Sequence, residues 1–368
     1  MTTDYWSDLP DDLLHLVYAK VGGLLHRVRF SAVCRSWRAA AAASRHPAPP
    51  ALPWLILSSI LRNDHRTRRV YCPAEDEAMR IQLPSENLVG KWFVGAHDGG
   101  WIAAVGFDLQ LAIVNLFSGV EVEAPLPKQG TMSGRLVRKV VFSESPTSPG
   151  CILAAITHHH DNHDILLCKP GCPESGWTAY STIGELLDII FHNGHLYGLN
   201  LYGDLFRFEI GVNQDGWPMV TKQYLHAFEI GSSRVVNDDH CYVFVLEGKL
   251  AMAVRSKRSN IFRSDPFFTV FELGDEPAIG WLRKWEQVAS LGDYSLFLGK
   301  TWSKAVSVPA GGCGAVQRNY IYVDDVVGGR GYRMQEDGGD GIKSPQSWIL
   351  RGTWAWGETL TWILPPDF

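Results

Sequence analysis

At 368 residues, with 46% apolar and 20% charged side chains, the chain can hold one large folded domain plus a small one and is too apolar to be disordered. A formal charge of −5 excludes the global basic field that points to nucleic acid. Seven scattered cysteines, an odd number, favour reduced thiols over a disulfide framework. The opening MTTDYWSDLP has neither a basic nor an apolar signal region, and no apolar run approaches the ~20 residues that span a bilayer. A cytoplasmic or nuclear protein, not a secreted one, is therefore expected.

Residues 6–38, WSDLPDDLLHLVYAKVGGLLHRVRFSAVCRSWR, read as three short helices. Pro10 suits a first helical position, and Asp11 and Asp12 place negative charge against the first turn's free N–H groups. Leu13, Leu14, Val17 and Val21 recur at three- and four-residue steps, which puts them on one helical face. Gly22-Gly23 stops that helix. Leu24, Leu25, Val28, Ala32 and Val33 form a second stripe, and Cys34 and Trp37 sit on a third, shorter turn. About forty residues cannot bury a self-sufficient core, so some apolar positions are left for a partner or for the larger domain. The first fifty residues carry six Lys/Arg against four Asp, a mildly basic balance that suits an acidic partner.

The wording of the stretch is specific. Trp6-x-x-Leu9-Pro10-x-Asp12-Leu13-Leu14 followed by Val33-Cys34-x-x-Trp37-Arg38 closely resembles an F-box, the adaptor-binding motif of SCF (Skp–cullin–F-box) ubiquitin ligases. Gly22-Gly23 departs from the family's usual Pro-containing turn. The resemblance implies an F-box over residues 4–43 whose adaptor-binding surface is drawn from Leu9, Pro10, Leu13, Leu14, Val17, Val33, Cys34 and Trp37. Trp37 suits a structural role equally.

Residues 44–53, SRHPAPPALP, contain four prolines and read as a stiff, extended linker. From Trp54 onward the pattern becomes period-2, with short Val, Ile, Phe, Tyr and Trp runs between Gly, Asp, Asn and Pro turns. Apolar strands begin near Leu55, Trp101, Ile152, Leu196 and Leu250, at intervals of 46, 51, 44 and 54 residues, with room for another unit between Leu296 and Trp362. A four-stranded propeller blade takes about 40–50 residues, so the expected fold over residues 54–368 is a β-propeller of about six four-stranded blades. With the helices this makes an α+β multidomain chain. A blade cannot cover both its faces alone, and the twelve tryptophans beyond residue 50 suit blade-to-blade packing. A two-sheet sandwich is the rival, though an unusually large one.

The phrases Asn115-Leu116-Phe117-Ser118-Gly119 with Pro125-Leu126-Pro127, Asn193-Gly194-x-Leu196-Tyr197-Gly198, and the ending Trp362-Ile363-Leu364-Pro365 are similar to the plant F-box family that carries the kelch-like domain of unknown function 295 (DUF295). That resemblance implies a propeller with no established chemistry.

The chain shows little sign of catalysis. Gly299-Lys300-Thr301 lacks the earlier glycine of a phosphate loop, since Tyr294 stands there, and reads as a hairpin turn. Residues 157–164, THHHDNHD, with Cys168 and Cys172 resemble metal ligands in type only. The segment after His163 reads as a strand, which holds His163 and Cys168 ~16 Å apart, far beyond a shared zinc. These residues read as an inter-strand loop. Asp324-Asp325 and Glu336-Asp337 with Asp340 are acidic groups most simply solvated, and a carboxylate pair for glycoside hydrolysis cannot be assembled from sequence. No catalytic residue, metal or cofactor is expected.

The expected function is a non-catalytic substrate receptor of an SCF-type E3 ubiquitin ligase, docking on a Skp-type adaptor and through it a cullin–RING ligase. The propeller would hold an unknown target protein, with residues 157–164, 255–266 and 328–344 as candidate contact loops. A protein-binding scaffold outside any ligase, or a propeller hydrolase with a helical cap, are the alternatives. Neither nucleic acid nor membrane is an expected partner.

Overall fold

The computed structural model describes residues 6, 9–21, 24–44, 51–59, 66–107, 110–125, 136–159, 162–172, 174, 176–182, 184–200, 202–228, 240–257, 266–279, 282–311, 313, 316–324, 330–333, 346–347 and 358–366. Helices α1 (Asp11–Lys20), α2 (Leu24–Ala32) and α3 (Arg35–Ala43) come first. Asp11 and Asp12 in the first turn of α1 and Lys20 in its last match the helix dipole. Pro10 stands one place outside its expected position. Its ψ of 143° is extended, and its carbonyl accepts from the Leu13 and Leu14 amides at 3.0 and 3.1 Å. Leu14, Phe30 and Ala40 form the buried centre of the three helices, with Leu9, Tyr18, Val21, Trp37 and Ala41 packed against them. Phe30 lies between the rings of Tyr18 and Trp37, at 5.1 and 4.4 Å between centroids.

Among the described residues the regular structure after the linker is β, apart from one 3-10 turn at Glu86–Leu88. Strands β1 (Trp54–Ser59), β2 (Thr67–Cys72) and β3 (Glu77–Gln82) follow one another in an antiparallel sheet. β4 (Trp92–His97), β5 (Trp101–Val105), β6 (Leu111–Asn115) and β7 (Glu121–Val122) make a second sheet. A third holds β8 (Leu136–Phe142), β9 (Leu153–His159), β10 (Asn162–Cys168) and β11 (Thr178–Ser181). Next come β12 (Leu186–His192), β13 (His195–Asn200), β14 (Leu205–Val212) and β15 (Pro218–Phe228), then β16 (His240–Leu246), β17 (Lys249–Lys257), β18 (Pro266–Ile279) and β19 (Leu282–Gln287). The final group is β20 (Tyr294–Leu298), β21 (Lys304–Ser307), β22 (Tyr320–Val323), β23 (Arg330–Arg333) and β24 (Gln346–Ser347), and β25 (Glu358–Ile363) ends the chain's strands. β25 returns to the first sheet and pairs antiparallel with all of β1, from Trp54↔Ile363 to Ser59↔Glu358.

Innermost strands lie side by side in the succession β25, β4, β8, β12, β16 and β21, and the apolar clusters fill the gaps between neighbouring sheets. This is a β-propeller. Tryptophans occupy those gaps as expected, with Trp101, Trp177, Trp285 and Trp362 all buried. Hydrogen bonding departs from six separate four-stranded blades. Among the described residues it gives sheets of four, four, four, eight and five strands. β15 and β19, the last strands of two consecutive up-and-down runs, pair in parallel at Ala227↔Arg283 and Phe228↔Lys284 and fuse them. In the final sheet β20 lies between β21, its antiparallel hairpin partner, and β22, which runs parallel to it.

The linker also departs from expectation at its end. Leu52 is buried in the first sheet's core, so the last residues of 44–53 are docked. Of residues 157–164, 157–159 and 162–164 are strand rather than loop, with β9 and β10 pairing through His163↔His158 and Asn162↔His159, and 160–161 lie outside the described residues. Most of 255–266 and 328–344 lies outside the described residues.

Candidate functional site

On α1, Leu13, Leu16 and Val17 stand at i, i+3 and i+4 and are all exposed, Leu16 at 59%. Val33, at the corner between α2 and α3, is exposed as well. Trp6 is 73% exposed, and its carbonyl accepts from Trp37 Nε1 at 3.0 Å. The expected surface residues therefore divide. Leu13, Val17 and Val33 are open, Pro10 is exposed, and Leu9, Cys34 and Trp37 are half-buried. Leu14 is a correction: it is 0% exposed, because one 100° step from Leu13 turns it into the helical core. Sequence reasoning missed Leu16 and Trp6 as surface groups. Cys34 Sγ lies 3.0 Å from Ser36 Oγ, and that contact, with the Trp37 and Ser36 amides at the start of α3, lowers its thiol pKa.

Another part of the module is covered. Leu25 packs into the first sheet's core, the cluster that also holds Trp54 and Tyr71, and its amide donates to Glu75 Oε1 at 3.1 Å. Arg29 makes a two-pronged bond to Glu77, both contacts 2.7 Å, which raises the Arg29 pKa and lowers that of Glu77. So α2 meets the propeller through Leu25 and Arg29.

A cavity of about 690 Å³ opens among the innermost strands. Val141, Ile189, Ile190, Val243 and Val245 give it an apolar wall. Its polar groups have separate origins. Lys139 of β8 is ion-paired with Asp188 of β12, and their side chains are 5% and 4% exposed. Asp188 Oδ1 also accepts from the Ile189 amide at 2.8 Å, while Oδ2 accepts from the Val243 amide of β16 at 2.9 Å, so one carboxylate ties three inner strands together. Burial raises the Asp188 pKa against the opposing pull of Lys139. At the mouth, Lys304 is paired with Asp98, and burial lowers the His97 pKa. Thr301 is buried, and its hydroxyl has no hydrogen-bond partner among the described residues.

The cavity mouth and the helices share one face of the ring. Asp98 sits in the β4–β5 turn, whose Gly99 carbonyl accepts from Asn115 Nδ2 at 2.8 Å. The ring of Phe117, beside Asn115, meets Trp54 at 5.4 Å. Leu55 is in register with Tyr71, so the β2–β3 turn holding Glu75 comes up at that same end.

Of the other sequence candidates, the Gly-Lys-Thr turn meets Asp324, and its Thr301 lines the cavity. Gly299-Lys300-Thr301 forms the β20–β21 turn, with the Gly299 amide donating to Ser303 Oγ at 3.3 Å and that of Lys300 to Asp324 Oδ2 at 3.3 Å. Among the described residues no three His, Cys, Asp or Glu side chains gather as metal ligands. Asp325, Glu336, Asp337 and Asp340 lie outside the described residues.

A profile described as the KIB1-4 beta-propeller matches residues 70–343. The chain belongs to the KIB1-4 beta-propeller family. An F-box domain profile matches residues 6–45, over the three helices, ahead of the KIB1-4 propeller. The F-box/kelch-repeat protein At1g57790 of Arabidopsis thaliana is 30% identical over 202 residues, 53% of each chain. The F-box protein At2g26160 of Arabidopsis thaliana is 23% identical over 344 residues, 87% of this chain and 96% of its own. Among solved structures, the Cps50 (Swd1) beta-propeller domain of Myceliophteria thermophila aligns over 80% of this chain and 79% of its own at 11% identity and a TM-score of 0.36, too distant to carry an argument. No helix among the described residues is long and apolar enough to cross a membrane.

Proposed function

We propose that this chain is the substrate-recognition subunit of an SCF-type E3 ubiquitin ligase. The F-box, residues 4–43, docks on a Skp-type adaptor and through it on a cullin–RING ligase. Residues 54–368 form a six-bladed propeller, its eight-stranded sheet being two blades joined at their outer strands, and hold the target protein. Residues 44–53 are the join. The subunit itself is non-catalytic and works in the cytoplasm or nucleus. Transfer is accelerated by proximity, because tethering raises the effective concentration of target lysines near the charged conjugating enzyme.

The single observation that carries the reading is the exposed Leu13–Leu16–Val17 stripe on a helix matched by the F-box profile. Apolar side chains presented in helical register are what a partner groove reads. Leu13, Val17 and Val33, with Leu9, Pro10, Cys34 and Trp37 beside them, form the adaptor surface, and Leu14 supports it from beneath.

Co-purification with a Skp-type adaptor tests this, comparing wild type with Leu13→Asp/Val17→Asp. Wild type is retained and the variant released, since placing a charge at a buried apolar anchor costs on the order of 2 kcal/mol or more of binding. Equal retention of the two, or of neither, overturns the reading. Retention without turnover of any captured protein points to a scaffold outside the ligase.

A further inference from the structure

We infer that the seam where β15 and β19 join is a binding site for a phosphate monoester, held by His195, Tyr197, Arg207, His226 and Arg283. Register puts these residues together. Tyr197, Arg207 and Tyr224 stand directly opposite one another on β13, β14 and β15, so their side chains share one side of the sheet. Ala227 packs in the same apolar cluster as Tyr197 and lies opposite Arg283, which puts Arg283 on that side too. His226 is the extra residue of a β-bulge, since Leu205 pairs with Ala227 and Phe206 with Leu225. A bulge re-aims a side chain. Here the His226 ring comes to 5.4 Å from that of Tyr197, and His195 lies 6.4 Å from Tyr197. Two irregularities of the propeller, the bulge and the parallel join, thus build one cluster. Tyr197 is buried and the other four are half-buried, so solvent reaches them.

The donors of this cluster are unspent. Among the described residues the side chains of His195, Tyr197, His226 and Arg283 make no hydrogen bond or ion pair. Arg207 Nε is buried without a partner, and Glu209 Oε1 stands 3.7 Å from Arg207 Nη2, longer than a hydrogen bond. Asp275, the carboxylate near Arg283, is held by Lys249 at 2.7 Å. Burial raises the Tyr197 pKa and lowers that of His226, and both guanidinium groups pull each of them down. Arg207 and Arg283 therefore both lie within electrostatic reach of the two rings. Two guanidinium forks, a hydroxyl and two imidazoles supply more donors than the two oxygens of a carboxylate can use. A phosphate monoester has three such oxygens and about two charges, and a guanidinium fork matches it with paired bonds. The site is independent of the α1 surface and of the ligase assignment.

The test titrates the full chain with inorganic phosphate at constant ionic strength and follows its melting temperature. Wild type shows a saturable rise, and acetate at the same ionic strength gives none. Arg283→Gln removes a cation that has no partner in the chain. The unliganded melting temperature therefore stays unchanged, while phosphate binds at least about tenfold more weakly, as for a lost charged hydrogen bond. Lys284→Gln makes the same charge change one residue along, on the other side of the sheet, and binds phosphate as wild type does. Glucose 6-phosphate and N-acetyl-phosphoserine amide, titrated in the same way, separate the sources. Tighter binding of the first supports a free phosphate ester, and of the second a phosphorylated protein side chain. No saturable rise with phosphate, an equal rise with acetate, or wild-type affinity in Arg283→Gln overturns the proposal. An equal loss in Lys284→Gln does so as well, and leaves an adventitious ion only, drawn by net surface charge.

Discussion

Leu13 and Leu14 are neighbours that meet opposite surroundings, one in solvent and one in the centre of the three helices. The helical period made the apolar stripe legible, but two adjacent leucines leave its phase open, and only packing against Phe30 and Ala40 settles it. Phe30 itself was not legible, because it stands beside Arg27 and Arg29 in a stretch that reads as polar. The two roles separate by measurement. Leu14→Ala lowers stability by about 2–5 kcal/mol in urea titration, as for a buried leucine, while Leu16→Ala changes it by no more than ~0.5 kcal/mol. Adaptor affinity responds to Leu16 instead. A second residue-scale signal lies at His226, whose ring packs 5.4 Å from that of Tyr197. Burial, with Arg283, Arg207 and His195 nearby, pushes its pKa down from 6.5 to about 4. Its neutral form is the one that the fold accommodates. The contribution is therefore full above pH 6.5 and is lost as pH falls towards 4. Allowing for solvent screening of a half-buried ring, the loss is about 1–2 kcal/mol. Stability measured across that window falls less steeply in His226→Phe than in wild type.

At the scale of elements, the strands were legible where their alternation was clean. Apolar alternation starts near Leu55, Trp101, Ile152, Leu196 and Leu250, and β1, β5, β9, β13 and β17 begin within one residue of those positions. Each is the strand next to the innermost, and the short turns around it, such as Asn193-Gly194 with φ of 47° and 76°, are set by local chemistry. Long-range pairings carry no such local signal. TLTWIL reads as a strand, yet nothing in it says that β1, some 300 residues earlier, is its partner. The same holds for the parallel β20–β22 and β15–β19 pairs. β25 completes the first sheet, and Trp362 is its anchor. It is fully buried, sits 5.1 Å from the Phe297 ring, and donates from Nε1 to the Leu298 carbonyl at 3.1 Å. Trp362→Ala should lower unfolding free energy by about 3–5 kcal/mol and expose the β1 edge. Calorimetry reads the first, and a rise in self-association at fixed concentration reads the second. A loss under ~1 kcal/mol would mean that the β1–β25 pairing contributes little.

At the scale of the whole molecule, the sequence suggests a small module on a proline-stiffened tether, whereas the structure adds a second attachment. Leu25 enters the first sheet's core, and Arg29 and Glu77 grip one another beside it, 48 residues apart in sequence. No period or spacing reveals this, because Leu25 has the same apolar character whether it faces its own helices or a sheet. Two attachments restrain rotation in a way that one tether alone does not, so the α1 surface and the cavity mouth hold a fixed relation on one face of the ring. A rigid relation matters to a receptor, since proximity helps only when the presented group stays in reach. Reversing the charge with Arg29→Glu repels Glu77, and adding Leu25→Ser removes the buried contact. In small-angle scattering the double variant has a larger radius of gyration than wild type, while its strand content by circular dichroism and its retention on the adaptor are unchanged. Arg29→Glu combined with Glu77→Arg restores the wild-type profile, because the pair re-forms with its signs exchanged. Identical scattering from wild type and the Leu25→Ser/Arg29→Glu chain would show that the tether alone fixes the module.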